Sequence, residues 1–156
     1  MPPLKIGACL RACEIFDHRA WLFDAQRDIE LQDFMTHAAL GAERQDRIAA
    51  AKVALAGHGG RVGIHGPYEG LDIDNKDADL RPLITARFLR ALEAAEAIGA
   101  RQMVLHSPYR AWYQNNRLAS PGYAEAKLAR EAAWIAGLAE GRSAAEVFGL
   151  PAALRG

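Results

Sequence analysis

A seven-residue pattern occurs twice in this chain. Residues 62–68 read Val-Gly-Ile-His-Gly-Pro-Tyr, and residues 103–109 read Met-Val-Leu-His-Ser-Pro-Tyr. Each copy is a short apolar run followed by a histidine, a small residue, a proline and a tyrosine. The apolar run has the length of a buried strand, and the proline ends that strand because it cannot donate to a ladder of backbone hydrogen bonds. Each copy therefore predicts a strand with a histidine at its carboxyl end.

The segment between the two copies predicts a helix, which gives the order strand, helix, strand. Strands joined in this way pair in parallel, because the crossover returns the chain to the same end of the sheet. We therefore expect His65 and His106 to lie side by side on one rim. Neutral imidazoles are common metal ligands, and two at this spacing suit one shared ion. The alternative for each histidine is a structural residue that hydrogen bonds hold at the end of its strand.

Two earlier stretches predict further strands of the same sheet. These are residues 4–10, which are mostly apolar, and residues 28–34, in which apolar and polar side chains alternate. The alternation places Glu30 and Gln32 together on one face of their strand. In a closed barrel these two residues would line the mouth, whereas in an edge strand they would face solvent. Both interpretations are open from the sequence.

Apolar residues at helical spacing predict the intervening helices. The predicted segments are residues 17–26, 42–56, 80–98 and 121–138. The loop that follows the third strand carries carboxylates. The loop that follows the fourth carries aromatic rings and amides, which together suit sugar recognition and also simple loop packing. The candidate substrate-binding residues are Glu30, Gln32, Tyr68, Asp72, Tyr109 and Trp112.

Composition limits the class of protein. With 156 residues, of which 51% are apolar and 24% charged, the chain has the make-up of one soluble globular domain. Lys plus Arg and Asp plus Glu number 19 each, so no net field attracts nucleic acid or an anionic membrane. Cys9 and Cys13 have neither zinc-ribbon nor thioredoxin spacing and are expected to be reduced thiols. Without a signal peptide or membrane span, we expect a cytoplasmic protein.

Several stretches together resemble a known superfamily. They are Ile29 to Leu31, Gly63 to Tyr68 with Gly70 to Asp74, and Ala97 to Ala100 with Val104 to Pro108. In this combination they resemble the xylose-isomerase-like barrels, which include sugar phosphate isomerases and epimerases and the endonuclease IV type of DNA repair enzyme. The resemblance covers residues 4 to about 138. It implies a domain of residues 1–138 that forms the first four βα units of a TIM (β/α)8 barrel.

The resemblance also implies a divalent metal ion (Mn, Mg, Zn or Co) at the carboxyl rim. In the endonuclease IV branch, histidines that end the third and fourth strands bind metal, and they match His65 and His106. In the isomerase branch, the main metal site is built from residues of the later strands, and the early-strand histidines look more like groups that line the site. The reaction expected of that branch is metal-dependent proton transfer beside the carbonyl of a sugar or sugar phosphate. Endonuclease-type phosphodiester hydrolysis is the alternative, and the balanced charge argues against nucleic acid as the partner.

Residues 139–156 depart from the family pattern. The family has a fifth strand with a metal-binding glutamate here, whereas this sequence predicts a short helix from Ser143 to about Gly149. A half-barrel lacks the carboxylates of the later strands and leaves its inner surface open. We therefore expect a truncated copy that is weakly active or inactive alone, or a non-catalytic relic. Formation of a homodimer is one way to cover the open half-barrel.

Overall fold

The computed structural model describes residues 6–71, 75, 77, 79–106 and 122–139. Strands and helices alternate along this part of the chain. The strands are β1 (Ala8–Leu10), β2 (Ile29–Leu31), β3 (Val62–His65) and β4 (Met103–Val104). The α-helices are α1 (Arg19–Asp24), α2 (Arg44–Leu55), α3 (Arg81–Ala97) and α4 (Tyr123–Ala139), and a short 3₁₀ helix, Ala12–Ile15, follows β1. The predicted helix that begins at Ser143 lies outside the described residues.

All four strands are parallel and lie in one sheet in the order β1-β2-β3-β4. The prediction of a parallel α/β sheet is therefore confirmed for the described residues. β2 pairs with both β1 and β3, so residues 28–34 do not contain an edge strand, and that alternative is wrong. Each helical crossover joins neighbouring strands in the same direction, and right-handed units of this kind place their helices on one side of the sheet.

The side of the sheet that faces the helices is apolar. Leu10, Leu31 and Ile64 pair in register across β1, β2 and β3, and they are 7%, 0% and 0% exposed. The same buried cluster includes residues of α2 and α3, namely Ile48, Ala51, Ala54, Leu55, Ala91, Ala94 and Ala95. Burying one leucine or isoleucine side chain stabilises a fold by about 1.5–3 kcal/mol. This apolar contact therefore holds the sheet against its helices.

The opposite side, called here the inner face, is polar. Because side chains alternate along a strand, the residues between the buried ones point to this side. Cys9 pairs with Glu30, and Glu30 pairs with Gly63. The Gln102 side chain lies so close to Gly63 that a Cβ atom there would be 2.4 Å from its Cγ. A row of polar and small residues thus crosses all four strands.

Helices α3 and α4 form a second apolar cluster beside the sheet. Ile84, Phe88 and Leu92 recur every four residues on α3, which places them on one buried stripe. The rings of Trp134 and Phe88 meet edge to face with centroids 4.9 Å apart, and the Trp134 indole nitrogen donates to the Thr85 hydroxyl at 3.3 Å. These contacts dock α4 on α3. Neither helix, nor any other within the described ranges, has the length and apolar character needed to cross a membrane.

Candidate functional site

The two histidines of the repeated pattern lie together at the carboxyl rim of the sheet. His65 is the last residue of β3, and His106 follows β4 by two residues. Their Nε2 atoms are 2.7 Å apart, and their ring centroids are 4.9 Å apart. His65 is half-buried and His106 is exposed. The parallel pairing of β3 with β4 produces this contact, as the repeat predicts.

Glu30, on the neighbouring strand β2, contacts the other nitrogen of the His65 ring. Its Oε1 atom lies 2.6 Å from His65 Nδ1, and both side chains are largely shielded from solvent. Because a carboxylate only accepts hydrogen bonds, Nδ1 carries the hydrogen and donates it. In the neutral ring the lone pair is then on Nε2, which faces His106. Glu30 therefore sets the tautomer of His65 and the direction of its free lone pair.

Cys9, on β1, shares the same carboxylate oxygen. Its Sγ atom lies 3.3 Å from Glu30 Oε1, and the thiol is exposed. Loss of solvation is the main cause that raises the Cys9 pKa to about 11, and the hydrogen bond and charge of Glu30 add to it. A hydrogen bond from Gln32 opposes this shift. At neutral pH Cys9 is therefore a neutral thiol that donates to Glu30.

Tyr68 covers the exposed histidine. Its ring stacks on the His106 ring with centroids 4.2 Å apart and planes inclined by 11°, and it meets the His65 ring edge to face at 5.7 Å. The turn that brings Tyr68 there depends on Gly66, whose N–H donates to the Val104 carbonyl at 2.9 Å. A Cβ at position 66 would lie 2.8 Å from that carbonyl oxygen. Position 66 therefore has no room for a Cβ atom while β3 lies beside β4.

The remaining predicted site residues are only partly described. Gln32 directly follows β2 and hydrogen-bonds to Cys9. Asp72, Tyr109 and Trp112 lie outside the described residues. Cys9 is the site residue that the sequence analysis misses. The signal for it is the alternation in β1, where Leu10 is buried and Cys9 falls on the same face as Glu30.

The donor atoms of this rim fit a divalent ion. Two imidazole nitrogens bound to one tetrahedral zinc lie about 3.3 Å apart, so the 2.7 Å contact of His65 with His106 would open by about 0.6 Å. A metal-bound histidine usually donates its other N–H to a carboxylate, and Glu30 already accepts that bond. Cys9, Glu30 and His65 also place one ligand atom each within 4.8 Å of the others.

Comparisons with known proteins give no relative from which to transfer a function. No protein-family model, no curated protein and no solved structure matches this chain. What can be inferred about function therefore depends on the fold and on these side chains.

Proposed function

We propose that this chain provides the metal-binding first half of a sugar isomerase or epimerase with a (β/α)8 barrel. The observation that carries the proposal is the contact between His65 and His106 at the carboxyl rim, with Glu30 behind His65. Active sites of such barrels lie at the carboxyl ends of the strands. His65 and His106 lie at that end of the sheet.

The strand arrangement supports the barrel assignment. A doubly wound sheet reverses its strand order at a switch point and carries helices on both faces. Here the order runs β1-β2-β3-β4 without reversal, α2 and α3 pack on one face, and the other face is polar. A polar inner face near the rim is typical of a barrel whose strands line an active site. These features favour one half of a (β/α)8 barrel over an open sheet.

In this proposal, different rim residues bind the metal and the sugar. His65 and His106 would bind the ion through Nε2, while Glu30 keeps His65 in the correct tautomer. When bound, the divalent ion would polarise the carbonyl of an open-chain sugar and stabilise negative charge on its oxygen. Gln32 and Tyr68 lie beside the ligands and supply the amide and hydroxyl groups that hydrogen-bond sugar hydroxyls.

In this scheme, neither Glu30 nor Asp33 is the base that transfers the proton. Glu30 is engaged by His65 and Cys9, and Asp33 is buried against the Ala12 N–H. We therefore place the base on the strands that would close the barrel. Within the described part of the chain, β1 pairs only with β2 and β4 only with β3, so one edge of each is open. A second copy of the chain could supply the closing strands, and sedimentation equilibrium would detect it as a dimer.

Metal binding is the first test of this function. We would measure Mn²⁺, Co²⁺ and Zn²⁺ binding by equilibrium dialysis for the wild type and for the double variant His65→Ala/His106→Ala. A matched control is His18→Ala/His37→Ala, since His18 and His37 are both exposed and on other segments. We expect the first pair of substitutions to abolish binding and the control to preserve it. Equal binding by all three proteins would contradict the proposal.

The reaction class needs a second measurement. Proton transfer beside a carbonyl exchanges a carbon-bound hydrogen with solvent, so an assembly whose closing strands supply the base should place deuterium next to the carbonyl of sugar phosphates incubated in D₂O with metal. NMR detects this exchange, and the His65→Ala/His106→Ala protein should not catalyse it. Metal-dependent cleavage of DNA at abasic sites, without any sugar exchange, would instead support the endonuclease IV-type alternative. The equal numbers of basic and acidic residues, 19 each, favour the sugar.

A further inference from the structure

We propose that the inner face carries a second cation site, formed by Cys9, Glu30 and His65, which takes a thiophilic divalent ion such as Zn²⁺. This trio is called here the inner site, and His65 with His106 is called the rim pair. The inner site shares His65 with the rim pair, but it does not depend on the sugar chemistry proposed above. Its distinguishing donor is the sulfur atom of Cys9.

The sheet positions the three donors. They come from the neighbouring strands β1, β2 and β3, and Cys9 and Glu30 are directly paired in register. Their ligand atoms lie within 4.8 Å of one another. In a tetrahedral zinc site a thiolate sulfur and a carboxylate oxygen are about 3.5 Å apart. The observed distance from Cys9 Sγ to Glu30 Oε1 is 3.3 Å, so this pair needs almost no movement.

The charge of the inner site also favours a cation. Glu30 is half-buried, and among the described residues its one recorded ion-pair partner is His65 rather than a lysine or arginine. A divalent ion would balance the carboxylate and favour loss of the thiol proton. The apo site therefore carries one carboxylate charge that a metal would neutralise.

An ion can reach these donors from solvent. Cys9 is exposed. A cavity of about 310 Å³ borders Cys9, Glu30 and Gln102 on the inner face. Three protein donors with an open fourth position resemble the arrangement of a catalytic zinc site more than that of a closed structural site. The combination of sulfur, nitrogen and oxygen ligands selects zinc, cobalt or cadmium over magnesium.

The two sites exclude each other because they use opposite nitrogens of one ring. Nδ1 of His65 faces Glu30, and Nε2 faces His106. A neutral imidazole has one lone pair, so it serves a cation on one side at a time. An ion in the inner site leaves the Nε2 hydrogen to be donated to His106. An excess of thiophilic metal would therefore displace the ion held by the rim pair.

Cobalt spectroscopy tests the inner site, because a Co²⁺–thiolate bond gives a charge-transfer band in the near ultraviolet. We would titrate the purified chain with CoCl₂ under reducing conditions, together with Cys9→Ser, Cys9→Ala and the control Cys13→Ser. Cys13 is also a free, exposed thiol, on the 3₁₀ helix. We expect the band in the wild type and in Cys13→Ser, and its loss in both Cys9 variants, in which any remaining cobalt is held by the rim pair. Circular dichroism confirms that the variants are folded.

The variant His106→Ala separates the inner site from the rim pair. The inner site predicts that this protein keeps the charge-transfer band, which reports the Cys9 sulfur alone. Cobalt binding by the wild type without the band, together with loss of binding in His106→Ala, would overturn the inner site and leave the rim pair intact. A band that persists in the Cys9 variants would also overturn it. The absence of cobalt binding in every protein would overturn both sites.

Discussion

The Nδ1 atom of His65 lies 2.6 Å from Oε1 of Glu30, although 35 residues separate them in the chain. The contact depends on the parallel register of β2 with β3, in which Glu30 pairs with Gly63, two residues before His65. Because glycine has no side chain, nothing stands between the carboxylate and the ring. The Glu30 carboxylate therefore fixes the orientation of the His65 ring through Nδ1, and Nε2 faces the rim.

Replacing Glu30 with glutamine tests how much its charge matters. In Glu30→Gln the side-chain oxygen still accepts from His65 Nδ1, so the geometry is kept and only the charge is lost. Substitution of an outer carboxylate of this kind typically costs 10–100-fold in metal affinity, and we expect about that loss for Mn²⁺ at the rim pair. Isothermal titration calorimetry measures the affinity, with Glu96→Gln on exposed helix surface as the control. Unchanged affinity in Glu30→Gln would show that the carboxylate has no part in metal binding.

Tyr68 is expected to act through its ring rather than its hydroxyl when the metal binds. The ring stacks on His106, which is exposed and would otherwise sample several rotamers. Tyr68→Phe keeps the stack, so we expect its metal affinity to remain within about twofold of wild type. Tyr68→Ala removes the stack, which is worth about 0.5–1.5 kcal/mol, and should weaken binding by about 2–10-fold. Equilibrium dialysis with Mn²⁺, which the sulfur-containing inner site does not favour, distinguishes the two variants, and equal losses would instead implicate the hydroxyl.

The spacing of apolar residues in the sequence predicts the order of the strands and helices. It does not predict their exact lengths. The sequence predicts strands over residues 4–10 and 28–34, whereas the structure has Ala8–Leu10 and Ile29–Leu31. A strand extends only as far as a partner lies beside it, and partner register is not encoded in local propensity. The helices differ less, since their apolar stripes and hydrogen bonds are local. For example, α2 is Arg44–Leu55, within the predicted residues 42–56.

The histidine pair of the candidate site can be predicted from the duplicated sequence pattern. The contacts that depend on the register between strands cannot. The duplicated pattern alone places His65 beside His106. Glu30 is expected from the alternation in its strand to face a substrate, but the structure shows it bonded to His65 and Cys9. The Cys9 contact joins β1 to β2 across 21 residues. A single sequence does not show which residues on neighbouring strands lie opposite each other. These two contacts are therefore seen only in the structure.

Gly63 tests the close packing of the inner face. A Cβ at this position would lie 2.4 Å from Cγ of Gln102, so Gly63→Ala forces that side chain to move. Overpacking of this kind costs about 1–3 kcal/mol, and we expect a matching fall in the free energy of unfolding in urea. The double variant Gly63→Ala/Gln102→Ala removes the obstructing atoms and should recover most of the loss. A double variant as unstable as Gly63→Ala would indicate that backbone conformation, not the Gln102 side chain, is the constraint.

Asp33 is expected to make stability depend on pH in the opposite sense to an ordinary salt-bridged carboxylate. It is 8% exposed and accepts the Ala12 N–H at 2.8 Å, and its pKa is raised mainly because burial removes solvent from the charge. The raised pKa means that the folded state holds the proton more tightly than the unfolded state. The contribution of Asp33 to the free energy of unfolding is therefore greatest below about pH 3.9, the pKa of an aspartate in the unfolded chain. This contribution falls as the pH rises through the pKa of Asp33 in the folded state.

Two substitutions at Asp33 separate its charge from its hydrogen bond. In Asp33→Asn the amide oxygen still accepts from Ala12, so the charge penalty disappears and the bond remains. We expect this variant to gain stability relative to wild type as pH rises from about 4 to 7, as measured by urea unfolding across that range. Asp33→Ala also removes the charge but leaves the buried Ala12 N–H without its partner, so it should be about 1–3 kcal/mol less stable than Asp33→Asn at every pH. If Asp33→Asn lost as much as Asp33→Ala at pH 7, the Ala12 N–H would need the charged carboxylate, and burial would not be the dominant effect.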